Sequence, residues 1–168
     1  INFVVYHSGF DVGPAEVAYD PNNDRGVDRF LASLEKADIG PNSNVYAELG
    51  GTWRSVMGDP NAAAHVIGKL LKHVGEDRLV WGTDSIWWGS PQWQIEALKR
   101  LEMPEPLAQR FGYSSLTTEV KRKILGLNAA RVYGVDPEAR RNPLPGDYVG
   151  RLKRLAADAG FAERSNLQ

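Results

Sequence analysis

Three short apolar runs, each closing on small or polar residues, constrain this chain more than any other feature. They cover residues 1–6, 44–49 and 78–83, and amphipathic stretches separate them. The first is continuously apolar after Asn2, the pattern of a strand covered on both faces. Strands alternating with helical stretches predict an α/β fold with a parallel sheet and right-handed crossovers. In such sheets the carboxyl ends of the strands form the rim where ligands bind and chemistry occurs. Two of the runs deliver reactive side chains there. Val80-Trp81-Gly82-Thr83 leads into Asp84, and Val4-Val5-Tyr6 leads into His7.

The stretches between the runs carry helix signals. A loop rich in Gly, Pro, Asn and Asp reaches to Asp24, after which Val27, Phe30, Leu31 and Leu34 recur at helical spacing until Gly40-Pro41 breaks the pattern. Asp59-Pro60 reads as an N-cap with proline in the first helical position. The helix it starts carries Ala63, Val66, Ile67, Leu70, Leu71 and Val74 on one stripe, and Gly75 is placed to end it in a left-handed conformation. Ser90-Pro91 repeats the signal ahead of a helix through Leu101, with Ile95 and Leu98 inward. A proline-bearing connection leads to Thr117, which caps a helix over 118–133 with Val120, Ile124, Leu127 and Val132 inward and Gly134 closing it. A loop at 142–146, a last helix over 147–159 and a tail beyond 160 complete the expected order.

Size and composition bound the function classes. At 168 residues the chain suits a single domain, and a formal net charge of -1 supplies no basic field for nucleic acid or an anionic membrane. With no cysteine there are no disulfides, thiol nucleophiles or cysteine metal sites, which fits a reducing, cytoplasmic setting. No apolar run approaches the roughly 20 residues needed to cross a bilayer, and no signal peptide is expected at a strand-like start without a basic leader. Isoleucine opening a strand points to a segment cut from a longer protein, or to a processed product. Three strands alone would leave both outer edges unpaired. Either the sheet continues in a missing amino-terminal part, or the chain is a small open α/β sandwich complete in itself.

If the strands belong to a closed eight-stranded barrel, neighbours lie about 4.8 Å apart and the first and third roughly 10 Å apart. Alternate strands share a layer of side chains, so His7 and Asp84 would face each other across one mouth, with a metal-bound water or substrate bridging them. A divalent cation or a histidinium partner keeps a buried aspartate ionised. Plainer roles stand beside these: Asp84 as a turn former, His7 as a core histidine bonded to a carbonyl. Glu48, near the end of the second strand, is placed to bind a substrate cation, to support a neighbouring ligand, or to pair with Arg54. Trp53, Trp87 and Trp88 follow strand ends and either wall a pocket for a flat or apolar substrate or cover a loop. His65 and His73 fall on the middle helix, away from the rim. Asp20, Asn22, Asp24 and Gly26 resemble the start of a calcium loop, but the glycine is one position late and Leu31 stands where the glutamate belongs. The chain has no G-x-G-x-x-G, no phosphate loop and no G-x-S-x-G.

Tyr6-His7-Ser8-Gly9, Val45-Tyr46-Ala47-Glu48-Leu49-Gly50, Trp81-Gly82-Thr83-Asp84 and Leu127-Asn128-Ala129-Ala130-Arg131-Val132-Tyr133-Gly134 together resemble the amidohydrolase-related metal-dependent hydrolases. The resemblance covers nearly the whole chain. It implies the carboxyl-terminal part of a TIM-type (β/α)8 barrel: one partial domain over 1–168, holding strands six to eight and a helical extension at about 117–160. It implies that Asp84 is the strand-eight aspartate that binds a divalent metal, zinc first among them, and positions its water. His7 would be the strand-six histidine, an acid/base group that in some members also binds the metal. The family also uses an H-x-H pair on strand one and a histidine on strand five; neither is present here, so this chain alone is not expected to assemble a metal centre.

The reading is a metal-dependent hydrolase of C–N or C–O bonds in a small-molecule substrate, present as an incomplete and by itself inactive fragment. Two alternatives stay open. The same ligand set serves non-oxidative decarboxylation of aromatic or muconic-type acids. An inactive fragment acting only as a binding module would associate through its open strand edges, and such edges also admit a homo-oligomer.

Overall fold

The computed structural model describes residues 1–13, 15–139, 146–156 and 158–159, with Ile86 through its backbone alone. Strand β1 (Phe3–Val5) is followed by a tight turn at Tyr6–Gly9, helix α1 (Gly26–Lys36) and strand β2 (Val45–Glu48). Helices α2 (Gly50–Val56) and α3 (Pro60–Val74) lead to strand β3 (Leu79–Val80). Helices α4 (Ser85–Trp88), α5 (Gln92–Arg100) and α6 (Glu105–Phe111) come next. The terminal helical segment comprises α7 (Thr118–Arg122), a widened π-type turn (Lys123–Leu127) and α8 (Asn128–Tyr133); α9 (Tyr148–Ala156) stands last.

The three strands form one parallel sheet in the order β1-β2-β3, with Val4 opposite Tyr46 and Glu48 opposite Val80. Alternation then assigns the faces. Val45, Ala47 and Leu79 enter the core with Leu31 of α1 and Val66, Ile67 and Leu70 of α3. Val4, Glu48 and Val80 look the other way, toward a cavity. The six stripe positions of α3, from Ala63 to Val74, are all buried, and the Asp59 carboxylate accepts from the N–H of Asn61 and of Ala62. Thr117 caps α7 through Val120 N–H, and Gly134 closes α8 in the left-handed region at φ 64°.

Several local expectations are corrected. The first strand stops at Val5, because His7 and Ser8 adopt left-handed φ of 57° and 46°; Phe3, expected to be covered, is exposed because β1 has a neighbour on one edge only among the described residues. Strand β3 spans two residues rather than six. Gly75 has φ 91° and ψ 153°, a positive-φ extended conformation rather than the helical left-handed one. In α5 the fully buried residues are Gln94 and Leu98, while Ile95 is half-buried. The expected single helix over 118–133 is interrupted by the π-type turn, and Leu127 and Val132 are only half-buried. Helices α2, α4 and α6 had no sequence signal, being only 7, 4 and 7 residues long. Most of the expected 142–146 loop and the tail beyond 160 lie outside the described residues, and the last helix covers Tyr148–Ala156 of the expected 147–159.

The long loop after the Tyr6–Gly9 turn is tied down by a buried cation. Lys69 of α3, 1% exposed, donates to Glu16 in the loop, to Asp28 of α1 at 2.7 Å and to the Val17 carbonyl. Asp28 also accepts from Asn23. Removing one partner of a buried pair leaves an uncompensated charge, costing about 3–5 kcal/mol. Urea unfolding of Lys69→Met is therefore expected to show a loss of that order, with exposed Lys36→Met within about 0.5 kcal/mol of wild type. A Lys69→Met midpoint equal to wild type would contradict this account.

Candidate functional site

Both sequence-predicted reactive residues lie at the carboxyl ends of their strands, and the fold brings them together. His7 Nε2 stands 3.0 Å from Asp84 Oδ2. The gap expected to be bridged by a water or substrate is closed by direct contact. His7 lies two residues past the end of β1 and Asp84 four past the end of β3, each in a left-handed backbone conformation that non-glycine residues seldom adopt: φ 57° at His7 and 47° at Asp84. Such conformations persist only where surrounding contacts over-determine them.

Those contacts converge on Glu48. Its Oε2 accepts from the backbone N–H of His7 at 2.7 Å and its Oε1 from that of Gly50 at 3.0 Å. Ser8 Oγ donates to the Glu48 carbonyl at 2.7 Å, and Thr52 Oγ1 donates to the His7 carbonyl. Glu48 is buried, and burial raises its carboxyl above the ordinary value against the opposing pull of the two N–H bonds and the His7 side chain. The Arg54 pairing is absent: that guanidinium lies 5.7 Å from the centre of the Trp88 ring. Glycines make room for the carboxylate. A Cβ at Gly82 would overlap Glu48 Oε1, and one at Gly50 would overlap the His7 ring.

Asp84 has its own support. Gln94, buried in α5, donates through Nε2 to the Thr83 carbonyl at 2.7 Å, fixing the residue before the aspartate. The Trp87 N–H bonds to the Asp84 carbonyl at 2.9 Å. Beside the pair, a cavity of about 230 Å³ has Glu48 and Asp84 on its polar side, Val4 and Val80 on its apolar wall, and Tyr6 and Tyr133 at its edge. The Tyr6 hydroxyl beside that of Tyr133 raises the Tyr133 phenol above its ordinary range, with smaller contributions from burial and Glu48.

The tryptophans divide. Trp53 does not line this cavity: it is 1% exposed, donates to the Gln94 carbonyl at 3.0 Å and packs 6.3 Å from Trp81 in the core. The reason is α2, which starts directly after β2 and turns its fourth residue back under the sheet. Trp87 and Trp88 are exposed, on the short helix that follows Asp84. His65 and His73 lie on α3, as expected; His65 Nδ1 is 3.2 Å from the Tyr113 hydroxyl and His73 Nδ1 3.2 Å from Glu35. Thr52 and Gln94 had not been singled out from the sequence, and Ser8, Gly82 and Tyr133 stood only within the family motifs, with no role of their own. The Gly50-Gly51 doublet and Gly82, each beside a strand end, were the available signal, since glycine there marks a close approach.

A family model described as amidohydrolase matches residues 2–135. The chain belongs to the amidohydrolase family. No curated protein and no solved structure matches it. Amidohydrolases are hydrolases that typically use divalent metals. The residues present here do not fit such an ion on their own. A catalytic zinc takes three protein ligands, whereas His7 and Asp84 offer two, and both Glu48 oxygens accept from backbone N–H groups. Among the described residues no group of three or more His, Asp and Glu side chains could hold an ion. None of the described helices is long and apolar enough to cross a membrane.

Two measurements check this account. Gly82→Ala should cost about 1–3 kcal/mol through overpacking against Glu48, while Gly126→Ala, with open space around its Cβ, should keep wild-type stability or gain. Equal unfolding midpoints for the two would count against the packing. Burial, reinforced by Lys69 and Arg110, lowers His65 below the ordinary 6.5. The unfolded chain then binds that proton more tightly, so stability is full above about 6.5 and falls as pH drops from there through the lowered folded value. Urea titrations between pH 5 and 8 should show this decline, smaller in His65→Gln.

Proposed function

We propose that this amidohydrolase-family chain is the strand six-to-eight portion of a (β/α)8-barrel hydrolase that cleaves C–N or C–O bonds in a small-molecule substrate. The observation that carries the reading is the His7–Asp84 pair, 3.0 Å apart at the carboxyl rim of a parallel sheet. An imidazole held against a carboxylate is suited to moving protons at a reacting group, a contribution of about 10²–10⁴-fold in typical enzymes. In this reading Asp84 orients the imidazole, and His7 takes or gives the proton. The exposed Trp87 and Trp88, on the short helix that follows Asp84, would offer flat surfaces to the substrate.

The divalent ion of the intact enzyme, which we take to be zinc, needs ligands from barrel strands outside these 168 residues. The outer edges of β1 and β3 support that picture, because the described residues add no strand to either. The same edges would pair with the rest of the barrel, or with a second copy. A cysteine-free chain is in keeping with a cytoplasmic setting.

The test uses this chain and a longer one that includes upstream sequence, assayed against panels of amides, esters and lactones and analysed for bound metal. The longer protein should bind metal and hydrolyse a member of the panel, and Asp84→Ala should lower kcat/KM by about 10³-fold. His65→Ala, on the far helix, should leave turnover nearly unchanged. Carbon dioxide released from aromatic acids with no hydrolysis, or inert metal-free protein at both lengths, would overturn the proposal.

A further inference from the structure

We infer that Glu48 is a positioning residue: by accepting from the His7 and Gly50 N–H groups, its buried carboxylate holds the His7 imidazole against Asp84. The inference rests on the reading of His7 and Asp84 as the working pair. Of the roles expected for Glu48, it selects the support of a neighbouring site residue over direct contact with a substrate cation.

Three independent features support it. Left-handed backbone at two consecutive non-glycine residues, His7 and Ser8, is unfavourable unless fixed from outside, and an apolar strand would otherwise run on through Tyr6. Two of the fixing bonds come from one residue at a strand end. Glu48 supplies its side chain to His7 and its carbonyl to Ser8, and Thr52 of the next helix reaches the His7 carbonyl. Finally, Gly82 and Gly50 lack the side chains that would collide with the carboxylate and the ring, so two further segments leave space for this arrangement. A glutamine cannot reproduce it. Its amide offers one acceptor oxygen and one donor nitrogen to two N–H donors, so one contact becomes donor against donor. An aspartate keeps the charge but falls a methylene short.

Nuclear magnetic resonance of the 168-residue chain reads the ring's position without any substrate. Gly50 lies against the His7 ring, and a Cβ on Gly51 would sit 3.3 Å from its Nδ1, so the Hα shifts of both glycines carry its ring current. The change in those shifts on His7→Ala defines the imidazole contribution. In Glu48→Gln and in Glu48→Asp most of that contribution should vanish, while amide shifts of Leu70 and Ile124 in the core stay in place. Retention of the full contribution in Glu48→Gln would overturn the inference. So would its retention in Glu48→Asp alone, since charge rather than hydrogen-bond geometry would then hold the ring. If the variants do not fold, wild type still decides: scalar couplings across the hydrogen bonds, from both the His7 and Gly50 amides to the Glu48 carboxyl carbon, are expected, and absence of either refutes the claim. Loss of hydrolysis in the longer protein with these signals intact would count against the catalytic reading and leave this one standing.

Discussion

The rim of this sheet is organised around one buried carboxylate. Glu48 lies inside the protein with two backbone N–H groups for partners, at His7 and Gly50. A carboxylate shielded from water is costly unless donors surround it, and unpaired N–H groups in the same place are costly too. Each side therefore stabilises the other. The consequence is geometric: the ends of β1 and β2 are locked at the point where the chain leaves the sheet, and the His7 ring is turned toward Asp84.

The terminal helices close the other side of the site. Asn128 donates from Nδ2 to the carbonyls of Glu76 and Leu79, both at 2.8 Å, so one buried amide spans the start of β3. Asp77 accepts from Lys123 and lies 3.3 Å from Arg131, and the Lys123 bond chiefly holds its carboxyl below the ordinary range. The π-type turn at Lys123–Leu127 falls between these anchors. An extra residue in the turn shifts the register of the helix, so that both ends can reach the same short segment. Tyr133 is thereby carried to the edge of the cavity beside Glu48.

What could be read from the sequence followed the range of the signal. The alternating order, the Asp59 and Thr117 caps and the α3 stripe are local patterns, and the parallel sheet that follows from them is present. The approach of His7 to Asp84 was legible because each ends an apolar run, and topology brings such ends to one rim. The left-handed turn at His7 and Ser8 was not. Serine gives no signal for that conformation and histidine only a weak one, and the side-chain bonds that hold it join residues 40 or more positions apart. Trp53 misled for a related reason. It follows a strand end, but α2 begins at Gly50 with no loop and buries the indole. Glu48 was visible as a rim carboxylate, while its partners, being backbone groups, leave no trace in composition.

The buried ammonium of Lys69 bears on how the loop after His7 can behave. Its bonds to Glu16 and Asp28 are out of reach of mobile ions, which screen exposed charges over about 8–10 Å at ordinary ionic strength. Concentrated salt should therefore leave this latch shut while surface pairs weaken. Detaching the loop breaks the Lys69 bonds to Glu16 and Val17 together and opens the remaining Lys69–Asp28 pair to water, so the segment should part from α1 and α3 in a single cooperative step instead of fraying residue by residue.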